Sequence, residues 1–456
     1  MGLRRNTGGL MGVSSKDLAK KDIKSLLIKQ SIPSSIGILF MSVNVLIDTI
    51  FVGRWIGSLA IAALSVVMPI TFFISSMGMA IGIGGSSVIS RALGADDKDK
   101  AISTFAHQLM MTLLISSLFV IAGLFFGDEI LYAFGSKGKI TAPAKIFFLP
   151  ILLAVPFQAL CMMGNNVIRA EDKSKHAMNA MILSAIVNLA LDVLLIKVLN
   201  MGILGAAIAT SSSFVLCFAY ILWFFIAKSE LRLKRRHFVW NRALSWEIIS
   251  MSFVTFARQG VISVLMVLLN HTLFAQGGEH AVTVYGIISR MLMFALFPVL
   301  GITQGFLPIA GYNFGADNKA RVRESITLSI KYAGALAIFI FIIILVLAKP
   351  IVGIFTTDAQ VISETPGALR WVFAASPIIA VQLIGAAYFQ AAGKPVKALM
   401  LTLSKQGFFL IPLVLIMPHF FGIFGVWVSF PIADVLSTVV TGIFLKKEMD
   451  TNLKEA

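Results

Sequence analysis

The chain has 456 residues, of which 58% are hydrophobic and only 13% are charged, and it carries a formal net charge of +16. A soluble chain is about 45–50% apolar and about 25% charged, so this composition excludes a soluble enzyme and requires a bilayer. The basic residues are spread over alternate loops between apolar stretches rather than gathered in one patch, which excludes a nucleic-acid surface and fits the positive-inside rule.

In chain order, residues 1–30 form a basic, polar N-terminal segment with Arg4, Arg5, Lys16, Lys20, Lys21, Lys24 and Lys29. It lacks the short apolar core and cleavage site of a signal peptide. Asn6 stands where myristoylation after Met1-Gly2 wants Ser or Thr. Twelve apolar stretches follow, spans 1 to 12, at 32–52, 61–90, 104–126, 145–167, 177–199, 203–227, 247–274, 282–309, 326–348, 367–391, 398–419 and 422–445. A membrane helix needs about 20 residues and a membrane strand about 9–11. The expected fold is therefore an all-α polytopic membrane protein with twelve transmembrane helices.

Loops alternate in charge. The second holds Arg91, Lys98 and Lys100, the fourth Arg169, Lys173 and Lys175, and the sixth Lys228, Arg232, Lys234, Arg235, Arg236 and Arg242. The eighth holds Lys319, Arg321 and Arg323, the tenth Lys394 and Lys397, and the C-terminus Lys446, Lys447 and Lys454. The odd loops hold Arg54, Lys137, Lys139, Lys197 and Lys349. The bias places both termini in the cytoplasm and requires an even number of spans.

The halves repeat. Gly94-Ala95-Asp96-Asp97-Lys98 follows span 2 and Gly315-Ala316-Asp317-Asn318-Lys319 follows span 8. Gly202-Ile203-Leu204-Gly205 opens span 6 and Gly422-Ile423-Phe424-Gly425 opens span 12. Asp128 to Phe134 matches Lys349 to Phe355, and Lys175 to Met178 matches Lys397 to Met400, all at nearly one offset. A shared offset marks duplication. The expected organisation is a first lobe at 31–227, a basic linker at 228–246, a second lobe at 247–445 and a C-terminal segment at 446–456, the two lobes being pseudo-symmetric six-helix bundles. Halves of even span count insert the same way round, which suits two lobes rocking about a central cleft. Loops this short leave no room for a catalytic domain.

Ionisable residues inside spans cost about 2.5–3.5 kcal/mol each at the membrane centre on insertion scales, which makes them candidate sites. Asp48 lies late in span 1 and Asp192 in span 5, where Asn188 precedes it by one helical turn on the same face. Asn44 lies one turn before Asp48, and Thr210 in span 6 can add a hydroxyl. Such an oxygen set suits a small hard cation, Na⁺. Alternatively, two adjacent carboxylates cannot easily both be ionised, and one holds a proton. Carried to the second half, Asp192 falls on about Leu413 and Asp48 on about Leu269 or Asn270, so only the first lobe holds the pair. The competing reading is that Asp48 and Asp192 are interfacial and face water.

The second half holds Arg258, Arg290, Lys331, Arg370, Lys405 and Asp434. Lys405 with Asp434 forms a plausible pair between spans 11 and 12, either touching substrate or only pinning helices. Pro33 shares span 1 with Asp48, and proline removes a backbone donor and bends a helix. Cys161 and Cys217 lie in apolar segments and read as free buried thiols. No Walker A pattern, histidine metal motif or nucleophile elbow occurs.

Val45-Leu46-Ile47-Asp48-Thr49-Ile50-Phe51-Val52-Gly53, the paired Gly-Ala-Asp loops and the Gly-Ile-x-Gly openings resemble the multidrug and toxic compound extrusion (MATE) family over essentially the full chain. The resemblance implies two bundles around a V-shaped cleft in the cell (inner or plasma) membrane. It implies efflux of organic cations and other amphiphilic drugs by alternating access, in antiport with Na⁺ or H⁺ and with no other cofactor. Partners are then small amphiphilic or cationic molecules and the lipid bilayer, with no nucleic acid, and the chain is expected as a monomer. By resemblance, the coupling roles fall on Asp48, Asn188, Asp192 and Thr210. Asn165 joins their hydrogen-bond network, and Pro33 marks a protonation-sensitive bend. Another branch of the family carries acidic residues in spans 7, 8 or 10; this chain has none in spans 7 or 8 and Gln382 in span 10, and so resembles the DinF-like and Mep-like branch. A lipid-linked precursor flippase of the same superfamily, kept open by Arg258 and Arg290, and a passive channel are the alternatives.

Overall fold

A computed structural model describes residues 17–356 and 358–454 of the chain. Arg4, Arg5, Asn6 and Lys16 lie outside the described residues. Ten continuous helical stretches are long and apolar enough to cross a membrane, and two of these are each broken by glycine in non-helical conformation. The breaks make twelve spans among the described residues, where no strand occurs.

The first six are Ile23–Trp55, Ser58–Gly94, Lys98–Phe125, Thr141–Ala170, Ser174–Asp192 continued by a π-helical turn Val193–Val198, and Gly202–Ala227. A helical stretch Arg242–Gly315 then breaks at Gly277 and Gly278, giving spans 7 and 8 at 242–276 and 279–315. Span 9 is Lys319–Phe355 and span 10 is Ala359–Phe373 joined through a short turn to Ile379–Ala391. Pro395–Leu403 runs through a π-helical turn, Ser404–Leu410, into Ile411–Thr451, which breaks at Gly422 to separate spans 11 and 12. The helices extend past the apolar stretches read from sequence because hydropathy ends at the lipid while the backbone ladder continues into water.

The repeat is visible in the backbone. Positive φ occurs at Gly57 and Gly278, Asp96 and Asp317, Asp172 and Gly393, and Gly202 and Gly422. Each pair stands at the offset of the sequence repeat. Asp96 (φ +57°) and Asp317 (φ +53°) occupy the left-handed region that Asp tolerates through local hydrogen bonding. The next residue in each loop caps the following helix: Asp97 accepts from the Lys100 amide at 2.9 Å and Asn318 from the Arg321 amide at 3.2 Å.

Packing sets the overall shape. One apolar cluster, including Val52, Leu64, Phe147 and Ile196, belongs to spans 1–6 alone. A second, including Leu269, Ile344, Leu369 and Trp427, belongs to spans 7–12 alone. Both lie on the side away from Asp17 and Lys454, the two ends of the described chain. On the terminal side a third cluster is shared, with Leu26, Val88 and Phe105 from one lobe packed with Phe306, Ile326 and Tyr388 from the other. The lobes are thus fused on the terminal side and separate on the far side, which forms a cleft.

Candidate functional site

Two polar sites lie inside the membrane-spanning body, and the fold keeps them apart. The first is enclosed in the first lobe between spans 1, 5 and 6. Asp192 is the last residue of the α-helical part of span 5, where the backbone passes into the π-helical turn. Such turns re-aim side chains and recur at functional sites. Asp192 is 0% exposed and Asn188, one turn earlier, is 3% exposed, so the reading of Asp192 as a water-facing interfacial residue does not hold.

Asp48 comes from span 1, and its carboxyl group lies within hydrogen-bonding reach of that of Asp192. The Asn44 amide donates to Asn188 Oδ1 at 2.9 Å, and the Asn188 amide points to Thr210 Oγ1 at 3.5 Å. Span 1 carries Asn44 and Asp48 on one face, span 5 carries Asn188 and Asp192, and Thr210 of span 6 closes the set. Asp48 Oδ1, both Asp192 carboxyl oxygens and Asn44 Oδ1 are buried without a protein donor. Buried polar atoms are nearly always satisfied. Acceptor oxygens buried without a donor in this cluster therefore fit a cation or a shared proton, and a buried pair of carboxylates needs one or the other. Among the described residues no cluster of three or more His, Cys, Asp and Glu side chains occurs; two carboxylates with amide and hydroxyl oxygens match a monovalent hard cation better than a divalent one.

The second site is a cavity of about 510 Å³ between the lobes. Apolar groups from both halves line it, among them Met41, Met79, Phe214, Met293 and Phe297. Asn165, Gln259, Gln304, Gln382, Gln390 and Gln406 add amides. Arg169, Arg258 and Lys405 also line it, whereas Asp48 and Asp192 are not part of its wall.

Other sequence candidates are distributed as follows. Asn165 does not join the Asp48–Asp192 cluster: its amide donates to the Ala177 carbonyl at 2.8 Å and its side chain lines the central cavity. Its place near the terminal end of span 4 puts it well along the helix from the level of Asp192. Gln382 is 4% exposed, donates to the Leu401 carbonyl at 3.1 Å and lines the cavity. Lys405 and Asp434 pair at 2.6 Å, the lysine coming from the π-helical turn of span 11. Arg290 is exposed on span 8 and lies outside the cavity wall. Pro33 is buried in a helix that runs uninterrupted from Ile23 to Trp55, so no break stands at that position. Cys161 and Cys217 are free and buried.

Sequence reading missed Arg169 and Gln390. Hydropathy places Arg169 with the fourth loop, yet it is 6% exposed near the end of the span 4 helix. Gln390 donates to Thr255 Oγ1 at 3.1 Å and to the Met251 carbonyl at 3.3 Å. Arg169 and Gln390 stand at the repeat offset from one another, and that correspondence was the available signal.

The MatE family model matches residues 33–194 and again 251–416, one match in each half. Multidrug export protein MepA of Staphylococcus saprophyticus is 26% identical over 410 residues, covering 89% of this chain and 90% of that protein. Among solved structures, an outward-facing conformation of a multidrug resistance MATE family transporter of the MOP superfamily superimposes with a TM-score of 0.91 at 25% identity, covering 98% of this chain and 100% of that one. A MOP superfamily transporter from Pyrococcus furiosus, described as having a binding pocket of reverse polarity, gives a TM-score of 0.91 at 25% identity over the same shares. With both halves matched and the twelve-span fold shared throughout, the chain is a multi-pass membrane protein that belongs to the MatE family.

Proposed function

We propose that this protein is a secondary active efflux transporter of the plasma (inner) membrane, exporting small amphiphilic molecules in antiport with Na⁺ or H⁺. One observation carries the reading: two adjoining carboxyl groups, Asp48 and Asp192, are enclosed in one lobe with oxygens that no protein donor satisfies. A purely structural pair would have been given a cationic or amide partner, because an unsatisfied buried polar group costs about 1–3 kcal/mol and a charged one more. An exchangeable ion would satisfy these oxygens.

The mechanism follows from the placement. On the positive-inside reading of the basic loops the termini are cytoplasmic, and on that reading the far-side cleft opens outward. A cation entering from outside neutralises Asp48 and Asp192. Span 1 carries Asp48 and Asn44 on one stretch and Ile38 and Met41 in the wall of the central cavity, so repacking around a neutralised Asp48 reaches the cavity along one helix. Substrate leaves outward, the lobes rock about their shared terminal-side contact, and the ion leaves to the cytoplasm. Catalysis of a chemical reaction has no place in this cycle. Names of relatives, such as multidrug export protein, support the efflux direction and substrate breadth.

The test is flux in proteoliposomes with Na⁺ and pH gradients imposed separately. A gradient of one ion should drive dye uptake or efflux by wild type, and Asp48→Asn and Asp192→Asn at equal incorporation should abolish the response. Equal gradient-driven flux in both variants rejects the coupling assignment, and flux indifferent to either gradient identifies a passive channel.

A further inference from the structure

We propose that the central cavity selects amphiphilic organic anions, a carboxylate, sulfonate or phosphate carried on an apolar body, rather than organic cations. The inference rests on the transport reading above and names the substrate class of the same cavity. Arg169, Arg258 and Lys405 all line the space between the lobes, and among the described lining residues there is no Asp or Glu. Lys405 is neutralised by Asp434 at 2.6 Å, but among the described residues neither arginine has a carboxylate beside it.

Arg169 is 6% exposed, its Nε lacks a partner and its Nη2 meets only Met181 Sδ at 3.5 Å. Arg258 Nε is likewise buried without a partner. Guanidinium groups cannot shed their charge at ordinary pH, so these two stay cationic and short of acceptors. One stands on span 4 of the first lobe and the other on span 7 of the second. A ligand anion can therefore bridge the lobes. It would supply what the protein omits, because planar guanidinium matches the paired oxygens of carboxylate and phosphate. An organic cation would instead add like charge where nothing cancels it.

The rest of the wall fits the apolar body. Met41, Met79, Phe214 and Phe297 are adaptable or flat apolar surfaces. The volume of about 510 Å³ falls within the range of about 300–1,000 Å³ typical for one drug-sized molecule. The same chemistry occurs in a free solute and in the headgroup of an anionic lipid, and the experiment separates the two.

The probes are two xanthene dyes of similar body and opposite charge, fluorescein and rhodamine 6G, titrated by fluorescence anisotropy into the purified full chain in detergent. Wild type should bind fluorescein at least about tenfold more tightly than rhodamine 6G, the scale of one charged hydrogen bond. Arg258→Gln should erase that preference and Arg258→Lys should retain part of it; Arg169→Gln, confirmed monodisperse, should act in the same direction. In a second arm, dithionite accessibility of NBD-phosphatidylglycerol in proteoliposomes reports movement of a lipid anion. Selective fluorescein binding assigns a free solute, and Arg258-dependent lipid movement without it assigns a headgroup. Equal or tighter rhodamine 6G binding together with no lipid movement overturns the proposal, as does fluorescein binding or lipid movement indifferent to both arginines. Binding in detergent needs no ion gradient. Selective fluorescein binding without gradient-driven flux sinks the coupling reading alone, and gradient-driven flux of rhodamine 6G without fluorescein binding or lipid movement sinks this one alone.

Discussion

Gly94, which ends span 2, packs directly on the backbone carbonyl of Tyr312 in span 8: a Cβ at Gly94 would lie 1.9 Å from that oxygen. The contact is reciprocated. A Cβ at Gly315, the repeat counterpart of Gly94, would lie 2.0 Å from the carbonyl oxygen of Arg91, the repeat counterpart of Tyr312. The pseudo-twofold axis therefore runs through this meeting of the two Gly-Ala-Asp loops, where backbone packs on backbone between the lobes.

Gly94→Ala should loosen that closure. The added methyl meets backbone rather than a movable side-chain tip, so overpacking should cost about 1–3 kcal/mol. A cysteine placed at Ser90, in a background lacking Cys161 and Cys217, should become more reactive to a membrane-impermeant thiol reagent applied from the terminal side. Unchanged labelling in both Gly94→Ala and Gly315→Ala would show that the contact does not hold the lobes together.

Within the first lobe, the hydrogen-bond chain Asn44–Asn188–Thr210 should tune the carboxyl pair without replacing it. Thr210→Ala and Asn44→Ala each remove a neutral partner worth about 1 kcal/mol, so ion-driven flux should fall by about fivefold. Asp192→Asn should cost far more, and the Thr210→Ala loss should disappear in that background. Additive losses in the double variant would separate Thr210 from the ion site.

Lys405 and Asp434 offer a double-mutant cycle. Removing one partner of a buried pair leaves a lone charge and costs about 3–5 kcal/mol, whereas removing both is often neutral. Asp434→Asn alone should lower the melting temperature in detergent markedly, and Lys405→Met with Asp434→Asn should recover most of the loss. A double variant as unstable as the sum of the singles would contradict pairing as the role of these residues.

Glu448 gives a pH dependence outside the apolar part of span 12. Burial raises its carboxyl, but Lys394 and Lys397 outweigh burial and hold it below the usual glutamate range. Lys397, in the first turn of span 11, lies at 3.2 Å, and Lys394, which caps that helix, lies closer. A depressed carboxylate stabilises the fold above its unfolded value, about 4.3, and that contribution is lost as pH falls through the folded value. Thermal stability should drop on acidification below pH of about 4.3, and the Glu448→Gln variant should lack that component while being less stable at neutral pH. Parallel acid curves for variant and wild type would remove Glu448 from this role.

The sequence by itself determined the class, the span count and the duplication. Lipid demands long apolar stretches with internally satisfied backbone, and this demand is written locally in residues such as those between Gly94-Ala95-Asp96 and Gly315-Ala316-Asp317. It also exposed Asp48 and Asp192, because a carboxylate within an apolar stretch is visible in one dimension. Only the tertiary structure decided what these residues face. It brought Asp48 against Asp192 across 144 positions of sequence, placed Asn165 in the central cavity instead of beside them, and turned Arg169 from a loop cation into a buried one. It also left Arg290 outside the cavity wall while aligning Arg258 with it. Hydropathy records how far a residue lies from water along the chain. Which face of a helix meets which neighbour depends on rotation and packing between helices distant in sequence, and only the assembled bundle fixes those.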